Sequence, residues 1–547
     1  MKKLLIFGVI GLLSVLPVLV ISQNCDIEIS SDQFYIDGSS YPPGSVICLL
    51  PGNKDYLSFK DIQGTSSQPI TIINKGGEVE INTDHFYGIK FDNCKHIIFR
   101  GDGVSELDYG IRVTRVGNGA GMSLDNMTTN VEVMNIEIAY TAIAGIYAKT
   151  EPYQGDCNNL ITRDKFTMYD IKIHDCYLHD IADEGFYVGS SKYTGQTIYQ
   201  CNDIVVLPHV IEGVQIYDNI VENTGWDGIQ VSSASEDCNI YGNIIHDDSY
   251  AEEHFQMSGI LIGGGSKCDC YNNMIFNGKG DGIDVFGMGF MKIYNNLIVN
   301  AGETFEPGNP DETRSGIYVG YVEGALSPNA TFSIYNNTII SPKSFGITYN
   351  NNVAKMAYIK NNLITDPGYP NGNSNYINLM VDANKVEQSN NFLSVNNQIP
   401  KFIDPYADGY DLKPDSPAVN FGTSLASEGI TFDILNRARP FHTYFDAGAF
   451  ECHDPSASIN ENNDSSWLPY PVPATNKLNI PVYKDTSWPV IVKITSLSGK
   501  IVYNKSFSKT ESNNNNLELN IDEIRPGSYI ISMESTERFI TSQITLY

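Results

Sequence analysis

Short apolar runs in which Ile and Val alternate with polar residues organise this chain, and no long stretch carries helical spacing. Between residues 216 and 362 one phrase returns as IYDN, IYGN, CYNN, IYNN, IYNN and IKNN. Its last residues are Asn219, Asn243, Asn273, Asn296, Asn337 and Asn362. A second phrase, Gly-Ile-x-hydrophobic, falls between them at Gly228, Gly259, Gly282, Gly316 and Gly346. The step from Asn219 to Gly228 is 9 residues, as it is from Asn273 to Gly282 and from Asn337 to Gly346, and the minimal period, Asn273 to Asn296, is 23. A strand-forming period of this size predicts a solenoid in which each repeat is one coil and strands of successive coils pair in parallel about 4.8 Å apart. Ile and Val at the first and third positions after the Gly then point inward together, leaving the second position outward. An Asn stacked at one bend of every coil meets the hydrogen-bonding needs of its neighbours.

Earlier phrases, GIKF at Gly88, GIRV at Gly110, GIYA at Gly145 and GFYV at Gly185, extend the Gly-Ile strand to nine coils. Its outward positions read Lys90, Arg112, Tyr147, Tyr187, Gln230, Leu261, Asp284, Tyr318 and Thr348. The positions before the Gly read Tyr87, Tyr109, Ala144, Glu184, Asp227, Ser258, Asp281, Ser315 and Phe345. Insertions at 150–166, 190–209 and 247–256, and on both sides of Gly316, all flank this strand and spare the Tyr-to-Asn interval. Long loops on both rims of one sheet make walls, and the sheet becomes the floor of an axial groove suited to a polymer.

The repeat resembles the single-stranded right-handed parallel β-helix of pectate lyases and related polysaccharide-degrading proteins, an all-β fold. Residues 1–22, with Lys2 and Lys3 before an apolar run, read as a signal peptide. The β-helix with its N-terminal cap is expected over 23–452, closed by DGYDLKPDSPAVNFG and FDAGAFE, and a polar linker over 453–466. From 467 to 547, alternating runs predict a small antiparallel β-sandwich. Its YPVP at Tyr470, LSGK at Leu497 and PGSY at Pro526 resemble the C-terminal sorting domain of the type IX secretion system, with Val472 where an Asn is usual. The resemblance implies the type IX secretion machinery as a partner, export to the cell surface or beyond, and no membrane span after signal removal.

Lys and Arg number 35 against 64 Asp and Glu, for a net charge of −29. This field repels nucleic acid and anionic membranes, and disfavours a polyanionic glycan unless a basic patch or a bound cation intervenes. Ten Cys in an exported chain point to disulfides. Cys157 and Cys201 sit in neighbouring insertions, Cys238 and Cys268 each stand five residues before a ladder Asn, and Cys25 and Cys48 lie near the N-terminal end. Each pair could bond. Cys176 and Cys270 fall at inward positions as buried thiols, and CDC at 268–270 is too short for a zinc site.

The expected site is acidic. Glu184 and Asp227 occupy adjacent coils, about 5 Å apart, and Asp227 and Asp281 lie two coils apart, about 10 Å, with Asp284 beside them. These separations approach those of retaining and inverting glycosidases respectively, and crowded carboxylates raise one another's pKa, so one donates a proton while another stays ionised. The first reading is therefore hydrolysis of an extracellular polysaccharide by Asp227, Asp281, Asp284 and Glu184. Tyr147, Tyr187, Trp226, Gln230 and Tyr318 would bind sugar rings. A second reading has the acids hold a Ca²⁺ that neutralises a uronate for elimination, with Arg314, His254, Tyr187 or Tyr318 moving protons. The lyases this fold resembles use Lys or Arg there, whereas Lys90 and Arg112 stand two or more coils from the acids. A third reading is a non-catalytic glycan-binding or adhesive surface protein. His174, His179 and His246 lie near ladder turns without a shared face.

Overall fold

The structure is a computed structural model describing residues 24–306, 312–368, 376–405, 409–441, 444–453 and, with short breaks, 469–546. The expected signal peptide and the linker beyond His453 lie outside the described residues. Three sheets of 13, 12 and 12 described strands run along one axis. One coil supplies Val210–Tyr217, Ile220–Thr224 and Ile229–Val231, one strand to each sheet, and the next supplies Ala234–Tyr241, Ile244–His246 and Ser258–Ile262. They pair in parallel with Ile216 opposite Ile240, Ile220 opposite Ile244 and Ile229 opposite Ile260. Like residue therefore stacks on like. The inward Ile and Val rows, such as Ile229, Ile260, Ile283, Ile317 and Ile347, are fully buried, each contributing about 1.5–3 kcal/mol from removal of apolar surface from water.

The bend after the first-sheet strand carries the Asn stack. Asn219 Nδ2 donates to Asn243 Oδ1 at 3.0 Å, and the same bond repeats from Asn243 to Asn273, Asn273 to Asn296 and Asn337 to Asn362, all at 3.0 Å, and from Asn296 to Asn337 at 2.9 Å. Asn362 passes it on to Asn391, one coil beyond the last recognisable phrase. Each Nδ2 also meets a carbonyl of the coil before, as Asn243 does at Ile216 (2.9 Å). The residue ahead of the ladder Asn turns left-handed, with φ of 53° at Asp218, 56° at Asn272 and 53° at Asn295. Asp, Gly and Asn tolerate that conformation best, which explains the DN, GN and NN pairs.

The coil of Gly110 departs from expectation. Arg112 lies on Ile111–Val116, a strand of the second sheet, where it donates to Glu137 at 2.7 and 2.9 Å. The third-sheet strand of this coil is Ala120–Asp125, whose Ser123 pairs with Lys90 and Tyr147. Elsewhere the nine residues before the Gly hold a strand and a bend. Here they hold only a loop after Lys95–Arg100, so Gly110 opens the second-sheet strand, and Tyr109 leaves the floor with Arg112.

The described residues between 402 and 452 run back along the outside of the coils. The antiparallel pair Phe402–Asp404 and Gly409–Leu412 and the buried Ala447, Ala449 and Phe450 cover outward apolar residues of the second sheet, including Met274, Phe276, Leu297 and Leu363. Arg437, bonded to Asp411 and Asp433 at 2.6 Å each, ties this segment together. The C-terminal part has its own core of residues such as Leu478, Val492, Leu519 and Ile531. It pairs Lys477–Pro481 with Asn516–Asn520 and orders a four-stranded antiparallel sheet around Val490–Ser496 and Gly527–Glu534. Disulfides join Cys25 to Cys48, Cys157 to Cys201 and Cys238 to Cys268. Cys176 and Cys270 are buried thiols.

Candidate functional site

The third sheet sets the floor through Ile146–Ala148, Phe186–Val188, Ile229–Val231, Ser258–Ile262, Asp281–Val285 and Ile317–Val319. Its pairing lines up Tyr147, Tyr187, Gln230, Leu261, Asp284 and Tyr318 in one outward row. A second row follows from the Gly amides. Gly185 N–H donates to the Asp227 carbonyl, Gly228 to Ser258 and Gly282 to Ser315, each at 3.0 Å, and Ser258 pairs with Asp281. Glu184, Asp227, Ser258, Asp281 and Ser315 therefore succeed one another along the axis. Glu184 and Asp227 are in adjacent coils, and Asp281 stands two coils from Asp227 and shares a strand with Asp284.

The structure adds a fifth carboxylate, Asp248, from the 247–256 insertion. It is buried, accepts the Ser249 hydroxyl at 2.6 Å, and lies close against Gly278. The insertion folds down because Ser249 and Ala251 N–H donate to the carbonyls of Trp226 and Gly225, both at 3.0 Å. Trp226 thus anchors the loop through its backbone, with a half-buried ring. His254 sits at the exposed tip against Phe255, ring centroids 3.9 Å apart.

Burial raises all five acids. Glu184 is pushed up to about 7 by burial and the Asp183 charge, and Asp248 to about 7 by burial. Asp227 rises well above the carboxylate range through burial and the charges of Glu184 and Asp248, although the Ser258 hydroxyl at 2.7 Å opposes this. Asp284 is driven well up by burial and by Asp281 and Asp227. Asp281 is held back at about 6: burial raises it, but Arg314 Nη1, 3.9 Å away, and the Ser315 N–H favour its ionised form. Arg314 is itself set by Phe305, 4.3 Å beneath its guanidinium, and by Met257 Sδ at 3.1 Å. One guanidinium beside one acid of a crowded set is the arrangement that splits proton donor from acceptor.

These acids lie deeper than the sequence led one to expect: Asp227 is completely buried and Glu184 and Asp281 nearly so, whereas Asp284, Arg314 and Tyr318 stay partly exposed. On this floor Asp284 Oδ1, Asp227 Oδ2, Arg314 Nε and both amide atoms of the buried Gln230 have no hydrogen-bond partner. Buried polar atoms rarely stay unpaired, so these mark where solvent or ligand atoms belong.

Toward the N-terminal end of the floor lies Lys149, outward and buried, a residue the sequence reading passed over. Its Nζ lies 2.8 Å from Glu151, donates to Tyr187 Oη at 3.3 Å and sits over the rings of Tyr147 and Tyr187 at 5.0 and 4.4 Å. Burial alone would lower this amine, but the two tyrosines and Glu151 raise it. Fully buried His209 accepts the neighbouring Thr150 N–H at 2.9 Å. The spacing did signal Lys149, two residues past the outward Tyr147 and therefore on the same face. Among the described residues no three His, Cys, Asp or Glu side chains converge as a metal-ligand group, and no described helix is long and apolar enough to cross a membrane.

Comparison with known proteins agrees with this architecture. Residues 204–393 match the family described as "Right handed beta helix region", and residues 469–546 match "Secretion system C-terminal sorting domain". No curated protein sequence matches the chain. Among solved structures, an alginate lyase from Paenibacillus sp. str. FPU-7 is 16% identical with a TM-score of 0.37, covering 64% of this chain and 99% of its own. The pectate lyase Pel9A is 12% identical with a TM-score of 0.36, covering 79% of this chain and 98% of its own. XylC, solved with xylose, is 11% identical with a TM-score of 0.38, covering 95% and 100%. At these scores the likenesses do not bear on the chemistry.

Proposed function

We propose that this chain, a right-handed parallel β-helix exported under a type IX sorting domain, binds an extracellular polysaccharide along its third sheet and hydrolyses it. Asp281 acts as the base that activates water and Asp284 as the acid that protonates the leaving oxygen. The observation that carries this reading is the contrast within one strand: Asp281 is kept ionisable by Arg314 and the Ser315 amide, while Asp284, three residues on, holds its proton and leaves Oδ1 unpartnered. Asp281 and Asp284 are near enough for the charge of one to raise the other, and an inverting glycosidase needs its two carboxyls roughly 6.5–9.5 Å apart to admit the attacking water. Asp227 and Asp248 lie deeper and act through the field they place on Asp284, and Glu184 acts on Asp227. Tyr187 and Tyr318 supply ring faces for the sugars, and the Gln230 amide supplies a hydrogen-bond donor and acceptor.

A second reading is favoured by one specific contact. Lys149 Nζ, 3.3 Å from Tyr187 Oη, sets a cation beside a phenol oxygen on the floor, a pairing suited to neutralising a uronate carboxyl while its alpha proton is taken and the glycosidic oxygen leaves. The two readings leave different products. A panel of neutral and uronate glycans is incubated with the protein, and reducing ends and ultraviolet absorbance are read together. New reducing ends without absorbance, lost in Asp281→Asn and Asp284→Asn but kept in Tyr187→Phe, bear out hydrolysis. An absorbing unsaturated product lost in Tyr187→Phe replaces it with elimination, and retention of glycan without cleavage reduces the protein to a binder.

A further inference from the structure

Outside the acidic floor, the insertions at 150–166 and 190–209 build a platform of their own. They are stapled by Cys157–Cys201 and carry a two-stranded antiparallel hairpin, Gln196–Ile198 with Ile204–Val206. A small core of Leu160, Ile198 and Cys201, with Tyr153 and Val206 against it, fills the space between the two insertions. Between them opens a cavity of about 580 Å³ lined by Glu151, Tyr153, Lys192, Gln196, Thr197 and Tyr199, among others. That volume lies within the roughly 300–1,000 Å³ of small-molecule sites, ample for a short oligosaccharide. The stapled walls give it a fixed shape.

We infer that this cavity is an accessory binding site for an uncharged pyranose oligosaccharide, separate from the acids of the floor. Tyr199 is 77% exposed on its short helical turn, and Tyr153 is half-buried. Aromatic side chains kept at a concave surface suit the C–H faces of sugar rings. Gln196 and Thr197 offer amide and hydroxyl groups for sugar hydroxyls. Glu151 is already committed: it accepts from Gln196 Nε2 at 3.0 Å and from Tyr147 Oη at 2.9 Å, and pairs with Lys149 at 2.8 Å. With Glu151 paired to Lys149, the lining carries one further charged side chain, the exposed Lys192, and is otherwise aromatic, amide and hydroxyl in character, which suits the rings and hydroxyls of a neutral sugar. Glu151 also connects the cavity to the floor, since its partners Lys149 and Tyr147 belong to the outward face.

This inference rests on the polysaccharide reading of the chain but not on its hydrolytic chemistry, and the test keeps the two apart. Binding of neutral hexa-oligosaccharides of glucose, xylose and mannose, with oligogalacturonate as the charged counterpart, is measured by calorimetry on the full chain. Three proteins are compared: the wild type, Tyr199→Ala, and Asp281→Asn with Asp284→Asn. Tyr199 is exposed, so its variant folds, and circular dichroism checks this. We expect a neutral oligosaccharide to bind the wild type, to bind Tyr199→Ala roughly five- to tenfold more weakly for the loss of one aromatic face, and to bind the acid variant undiminished. Equal binding by Tyr199→Ala, preference for the galacturonate, or no neutral ligand at millimolar concentration overturns the assignment. Loss of binding only in the acid variant places the sugar on the floor and also refutes it.

Discussion

Replacing Asp248 by Asn tests whether the floor keeps its acids protonated. The carboxyl is buried, and its pKa rises from 3.8 to about 7. A carboxyl raised on folding binds its proton more tightly in the native state, so stability falls as pH climbs from the unfolded value toward the folded one. At about 1.36 kcal/mol per unit, the full cost above pH 7 is about 4 kcal/mol, and about 3 kcal/mol of it develops between pH 5 and pH 8. Asn keeps the oxygen that accepts the Ser249 hydroxyl and carries no charge, so the variant escapes this loss. Glu184, raised to about 7, and Asp281, raised to about 6, push in the same direction in both proteins and cancel in the comparison, whereas Asp227 and Asp284, which the Asp248 charge helps to raise, add to the variant's gain. Urea unfolding followed by far-ultraviolet circular dichroism at pH 5 and pH 8 reads the difference. The variant should gain on the wild type by about 3 kcal/mol between the two pH values. A gap that does not move with pH, or one that widens against the variant at pH 8, would show that these acids are solvated and that the donor assigned to Asp284 has no basis.

The rate of glycan hydrolysis should rise through pH about 6 as Asp281 ionises and fall at higher pH as the raised Asp284 loses its proton; a profile flat from pH 5 to 8 contradicts both roles. Asn273→Ala removes two bonds donated by Nδ2 to oxygens, Ile240 O and Asn296 Oδ1, a weaker one to Cys270 Sγ, and two accepted by Oδ1 from Asn243. At about 1 kcal/mol each the helix should lose about 4 kcal/mol in a urea titration, and a loss well under that denies the ladder its structural role.

The coil frame was legible because the Asn bend and the Gly-Ile strand impose residue types that nothing else satisfies: a left-handed residue before a buried amide, and a Gly where backbones crowd. At Gly282 an added Cβ would meet the Gly316 carbonyl at 2.5 Å. The same reasoning failed at Gly110, where a nine-residue step held a loop in place of a strand, and spacing cannot tell the two apart. The outward row from Tyr147 to Tyr318 and the succession of Glu184, Asp227 and Asp281 were readable as periodicity. Asp248 was not, because it arrives on an insertion that has no period. Nor was the depth of Asp227, which a period does not report. Lys149 was within reach of the pattern but stood one outward step past the position being compared.

The segment at 402–452 has a consequence for the order in which the molecule is completed. Coils can stack one on the next as the chain folds, but Met274, Phe276, Leu297 and Leu363 stay bare until these residues lie over them. The sorting domain at 469–546 is made later still. A truncated product with a naked apolar flank therefore lacks its export address, and only polypeptides long enough to have dressed that flank present themselves to the secretion machinery.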